Sequence, residues 1–98
     1  MSKIFVDQTY LRIILTTNVD ITSARTTEIH YKKPDGTIGQ LTALVQDPVD
    51  GVIYYDLDSD DTLLDTRGPW KFWAYVVFSD GRIARGEPVG VTIWDNEE

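Results

Sequence analysis

The stretch that decides the fold is Gly68-Pro69-Trp70-Lys71-Phe72-Trp73-Ala74-Tyr75-Val76-Val77-Phe78. Aromatic and β-branched residues dominate it, and such residues favour a strand. Side chains alternate between the two faces of a strand. One face then carries Trp70, Phe72, Ala74, Val76 and Phe78, and the other carries Lys71, Trp73, Tyr75 and Val77. We expect the first face to line the core, which leaves an aromatic second face that needs an explanation.

Further short strands are predicted on both sides of this one, since Thr, Val and Ile supply 29 of the 98 residues and lose χ1 freedom in helices. The predicted strands cover residues 10–17, 26–33, 38–45, 52–57, 82–84 and 89–94. Pro34-Asp35-Gly36-Thr37 and Ser79-Asp80-Gly81 between them are typical turn sequences. The pattern predicts one all-β domain over residues 1–98, an antiparallel immunoglobulin-like β-sandwich of about six to eight strands with a short acidic tail at 95–98. A small β-barrel is the alternative.

Composition excludes several classes of function. Sixteen acidic and nine basic residues give a net charge of −7, which argues against nucleic-acid binding. The chain has no cysteine, so it has no disulfide and no cysteine-bound metal. No apolar run reaches the roughly 18 residues of a membrane helix. Asp7 comes too early for a signal peptide, so we expect synthesis in a cytosol.

The residues do not indicate an enzyme. His30 is the only histidine, and alternation places it with Glu28 and Lys32 on a face that we expect to be exposed. No serine lies in a Gly-x-Ser-x-Gly turn, and no glycine-rich phosphate loop is present. We therefore expect no catalytic residue and no cofactor.

An acidic run before the long strand is expected to form an exposed loop. It contains Asp56, Asp58, Asp60, Asp61 and Asp65 and no basic residue. As a calcium loop counted from Asp56, it would need Gly and Glu at its sixth and twelfth positions, where Asp61 and Arg67 stand. A looser surface calcium site stays open as an alternative.

Three interpretations account for the second face, with Lys71, Trp73, Tyr75 and Val77 as the candidate interaction residues. An N-terminal segment or a long loop of the same chain covers it, or another protein packs on it, since Trp and Tyr anchor interfaces. The third is stacking of a sugar on Trp73 and Tyr75.

Two phrases carry a resemblance. The first runs from Asp20-Ile21-Thr22-Ser23-Ala24 through Ile29-His30-Tyr31-Lys32-Lys33-Pro34-Asp35-Gly36-Thr37. The second is Gly68-Pro69-Trp70-Lys71-Phe72-Trp73-Ala74-Tyr75-Val76, followed by Asp80-Gly81-Arg82. In this order and spacing they resemble the small immunoglobulin-like modules of tailed-bacteriophage virions, in particular the N-terminal domain of baseplate upper proteins. The resemblance extends from about Tyr10 to Ile93. Those modules usually precede receptor-binding or coiled-coil parts, and we expect this chain to act without them, as an accessory subunit.

The resemblance implies a non-enzymatic structural subunit, located in the virion after synthesis in the host cytoplasm. Such a subunit would be a capsid decoration protein, a neck or tail component, or a baseplate or fibre adaptor. It implies many copies or an oligomer, with other virion proteins as partners, and neither nucleic acid nor membrane. A carbohydrate-binding module that recognises host-surface glycans is the alternative function.

Overall fold

The computed structural model describes residues 4–57 and 63–95, which hold nine strands and no helix. The strands are β1 Ile4–Phe5, β2 Leu11–Thr16, β3 Ala24–Lys32, β4 Ile38–Thr42, β5 Leu44–Asp47, β6 Val52–Leu57, β7 Gly68–Phe78, β8 Ile83–Arg85 and β9 Val89–Trp94. The bounds of β6, β7 and β9 are those predicted from the sequence. The two-residue β1 has no counterpart in the prediction.

The strands form two sheets. The larger sheet has the order β1-β9-β7-β3-β4, and the short β8 pairs with the second half of β7. The smaller sheet has the order β2-β6-β5. All pairs are antiparallel except β1 with β9. This confirms the predicted antiparallel β-sandwich, and the sheets do not close into the alternative barrel.

The core lies between the sheets and is built around one face of β7. Trp70, Phe72, Ala74 and Val76 are buried, as the alternation predicts. Ile53, Leu57 and Leu15 of the smaller sheet are buried in the same cluster. The indole Nε1–H of Trp70 donates to the carbonyl oxygen of Thr66 at 2.7 Å, so the one polar atom of this side chain is satisfied inside the core.

Residues 38–45, predicted as one strand, form parts of two strands that lie in different sheets. Ile38–Thr42 pairs with β3, whereas Leu44–Asp47 pairs with β6. The change occurs at Ala43, which is buried. Its N–H donates to the carbonyl of Thr27 at 3.0 Å, and its own carbonyl accepts from the Thr27 hydroxyl at 2.8 Å. These bonds hold the chain against β3 at the point where it crosses to the other sheet.

Both predicted turns have the chemistry expected of them. Gly36 and Gly81 have φ angles of 92° and 90°, a region that glycine adopts without strain. The Asp35 carboxylate accepts from the N–H of Thr37 at 2.9 Å, and Asp80 accepts from the N–H of Arg82 at 3.0 Å. These bonds lower the pKa of both carboxyl groups, because they favour the ionised form.

Candidate interaction face

The outer face of the larger sheet carries the aromatic side chains that the core does not use. Cross-strand register places side chains of β3 and β8 on the two sides of those of β7. We call this surface the aromatic face. It consists of Glu28, His30, Lys32, Lys71, Trp73, Tyr75, Val77 and Arg85. The structure thus places all four predicted interaction residues, Lys71, Trp73, Tyr75 and Val77, on one surface.

Tyr75 lies between two neighbours that approach from opposite strands. From β3, the ring of His30 stacks on it with centroids 4.5 Å apart and planes inclined by 21°. From β8, the guanidinium carbon of Arg85 lies 5.3 Å from the Tyr75 ring centroid, a cation–π distance. Tyr75 is half-buried as a result, and both sides of its ring already contact protein.

His30 is the centre of a polar network that the sequence did not predict. Its Nε2 lies 3.0 Å from Oε1 of Glu28, and the other carboxylate oxygen of Glu28 accepts from the side-chain amide of Gln40 at 3.3 Å. The ring edge of His30 also meets Trp73, with centroids 5.9 Å apart. The His30 side chain is only 19% exposed, so the expectation of an exposed strand residue was wrong. Alternation predicts the face of the sheet on which His30 lies. How far its side chain is buried depends on its neighbours on β7.

The margins of the aromatic face are apolar and exposed. Ile38 is the register partner of Lys32 on β4, and Ile83 is the partner of Val77 on β8. Ile38 is 64% and Ile83 is 52% exposed. Among the described residues, the N-terminal segment pairs through β1 with β9 at the sheet edge. The burial of Trp73 and Tyr75 therefore comes from their neighbours in the same sheet, and Trp73 keeps part of its surface in solvent.

Two acidic residues of the predicted loop, Asp56 and Asp65, belong to the described part of the chain, and each forms an ion pair. Arg12 donates to both oxygens of Asp56, at 2.6 and 3.0 Å, and lowers the pKa of that carboxyl group. Lys33 Nζ lies 2.9 Å from each oxygen of Asp65 and likewise lowers the pKa of Asp65. Both carboxylates are exposed, as predicted.

The other three predicted loop acids, Asp58, Asp60 and Asp61, lie outside the described residues. Within residues 4–57 and 63–95, no group of three or more His, Asp or Glu side chains is placed to hold a metal ion.

An apolar groove of about 190 Å³ lies elsewhere, between the free edge of β2 and strand β9. Leu11, Ile13 and Leu15 line it from β2, and Val89, Val91 and Ile93 line it from β9. Its lining is aliphatic except for Phe72 and the rim residue Arg12. The aromatic face and its histidine are on the outer side of the larger sheet and take no part in it.

Comparison of this chain with protein-family models, curated proteins and solved structures finds no match. In the described part of the chain, no helix has the length and apolar character needed to span a membrane.

Proposed function

We propose that this chain is a non-enzymatic structural subunit of a tailed-phage virion that packs against other virion proteins through the aromatic face. The observation that carries the proposal is the partly exposed Trp73, held at the centre of a surface with exposed Ile38 and Ile83 at its margins. Interfaces of this kind have apolar anchors that bury fully only against a partner. The class of particle rests on the sequence resemblance alone.

The position of His30 supports a binding role over a catalytic one. Its ring is stacked on Tyr75 and bonded to Glu28, on the outer surface of a sheet. A catalytic histidine needs a substrate group within hydrogen-bond reach, and active sites are usually concave. The apolar groove between β2 and β9 does not include this histidine.

Carbohydrate binding is the second candidate, and the contact of Trp73 with His30, whose carboxylate partner Glu28 also bonds to Gln40, is the observation that favours it. The arrangement of Tyr75 weighs against the two-ring platform that the sequence suggested. A sugar could stack on Tyr75 only by displacing His30 or Arg85. Tryptophan fluorescence separates the two candidates, because a glycan on Trp73 changes the emission and a packing subunit gives no response to sugars.

The experiment that tests the proposal compares incorporation of two variants into particles. Trp73→Ala removes the centre of the aromatic face, and Tyr54→Ala removes a half-buried ring from the outer face of the smaller sheet. Quantitative mass spectrometry of purified particles measures the amount of each chain. We expect Trp73→Ala to fall well below wild type and Tyr54→Ala to match it. Equal incorporation of wild type and Trp73→Ala would overturn the proposal.

A further inference from the structure

Seven of the eight described basic residues of this acidic chain fall into two groups. One group forms ion pairs with carboxylates at strand ends, in turns or on the smaller sheet. The described pairs are Arg12–Asp56, Lys33–Asp65, Arg67–Asp95 and Arg82–Asp80. None of these pairs lies on the aromatic face.

The second group lies on the aromatic face. Lys32, Lys71 and Arg85 are exposed, and no described carboxylate lies within ion-pair distance of any of them. Glu28 is the one carboxylate on the strands of this face, and His30 and Gln40 already bond to it. Three cations against one carboxylate leave a surplus of two positive charges on this surface, while the whole chain carries −7.

The remaining described surface has the opposite character. Away from the aromatic face, five carboxylates lie beyond ion-pair distance of any described Lys or Arg, against one such cation, Arg25. The five are Asp7, Asp20, Asp35, Asp47 and Asp50. Glu87, which also has no such partner, borders the aromatic face, because the N–H of the preceding Gly86 donates to the carbonyl of Ala74 on β7. A copy of this chain therefore carries both a basic aromatic surface and an acidic remainder, which are complementary in charge.

We propose that the aromatic face binds the acidic surface of a second copy of this chain, in a head-to-tail contact. This inference rests on the proposed packing function and names the partner. A two-fold contact of one aromatic face with another would bring Lys32, Lys71 and Arg85 against the same group of cations on the second copy, and like charges in an interface are unfavourable. The charge pattern thus selects a heterologous contact, which closes into a ring or continues as a filament.

The first test is the molar mass of the purified chain by light scattering at increasing concentration. We expect the mass to rise at about 0.01 M salt and to return towards that of the monomer at about 1 M salt, where the Debye length falls from roughly 30 Å to roughly 3 Å. Lys71→Glu should weaken self-association by about tenfold or more in Kd. Arg67→Glu makes the same change of charge away from the face, on the acidic remainder, and should not weaken self-association.

The second test identifies the contact. A mixture of ¹⁴N- and ¹⁵N-labelled chains is treated with a carbodiimide, which joins an ammonium group to a carboxylate in direct contact. We expect mixed-isotope crosslinks that join Lys71 or Lys32 to an Asp or Glu outside the aromatic face.

Two outcomes would overturn the inference. One is a wild-type chain that stays monomeric at all concentrations. That result overturns the inference even if the cations of the aromatic face bind a polyanion such as an oligothymidine. The other is association that Lys71→Glu leaves unchanged. Either result leaves the proposed function standing if Trp73→Ala still lowers incorporation into particles, because the partner is then a different virion protein.

Discussion

His30 of β3 stacks on Tyr75 of β7, with ring centroids 4.5 Å apart and planes inclined by 21°. The two residues are diagonal neighbours, since Tyr75 pairs directly with Glu28 and His30 pairs with Trp73. The stack ties together the histidine, its carboxylate and the two aromatic rings of the outer face. The outer surface of a sheet is usually exposed. Here the stack turns it into a preformed, half-buried platform.

The stack predicts a measurable coupling between its members. His30→Ala and Tyr75→Ala should each destabilise the fold, and the double variant should lose less than the two single losses combined. The difference should be about 0.5–1.5 kcal/mol, the range for aromatic pairs. Urea denaturation of the four proteins of the cycle measures it. Additive losses would show that the two rings contribute independently.

The two tryptophans of β7 should differ sharply in their effect on stability. Trp70 is fully buried and donates to Thr66, so Trp70→Ala should lower the free energy of unfolding by about 3–5 kcal/mol. Trp73 lies partly exposed on the other face, and Trp73→Ala should lower the free energy of unfolding by about 1 kcal/mol. Urea midpoints at unchanged m-values give both numbers. A loss at Trp73 as large as that at Trp70 would place Trp73 in the core.

A glycine in β4 is required by the ring of its cross-strand partner. Tyr31 lies directly over Gly39, and a Cβ there would overlap the ring. The ring cannot move freely because it packs against Trp70, with centroids 5.8 Å apart. Gly39→Ala should therefore destabilise the fold by about 1–3 kcal/mol.

Gly90 of β9 provides the control for this change, because no described residue other than its chain neighbours has an atom within 4 Å of the position where its Cβ would be. Gly90→Ala should be neutral or slightly stabilising. Equal thermal midpoints for the Gly39→Ala and Gly90→Ala proteins would contradict the packing described for Tyr31.

The pair between Lys33 and Asp65 should make stability depend on acid pH. Lys33 holds the pKa of Asp65 below its usual value, so the contribution of the pair is fully present above about pH 4 and is lost as the pH falls through the folded-state value. Asp65→Asn should thus be less stable than wild type at neutral pH, and the gap should narrow below about pH 4.

The control for this pH series is Glu87→Gln, since Glu87 is exposed and makes no ion pair with a described residue. It removes the same charge and reports the effect of net charge alone. Urea midpoints of the three proteins across the acid range give the comparison. A gap for Asp65→Asn that stays constant with pH would exclude the ion pair as its source.

Alternation and turn chemistry predicted most of the fold. The bounds of β6, β7 and β9 and the inward direction of Trp70 follow from local pattern, since each face of these strands has one environment along its length. The crossing of the chain at Ala43 depends on its bonds to Thr27 sixteen residues away, and no local pattern reports them.

The aromatic face could be predicted only in part, because some of its contacts also join residues far apart in the sequence. Lys71, Trp73, Tyr75 and Val77 follow from the period of one strand. The contribution of His30 and Arg85 requires the register of β3 and β8 against β7, which is a property of the folded sheet. Asp56 and Asp65 of the acidic run are exposed as predicted, but their ion pairs use partners far apart in the sequence.

The measurement that tests the central claim most directly is the reactivity of single lysines towards an amine-acetylating reagent, in the free chain and in assembled particles. Lys71 is exposed on the aromatic face, so it should react readily in the free chain and be strongly protected in particles. Lys33 is bonded to Asp65 away from that face, and its reactivity should be similar in both. Equal reactivity of Lys71 in the free and assembled states would contradict packing through the aromatic face.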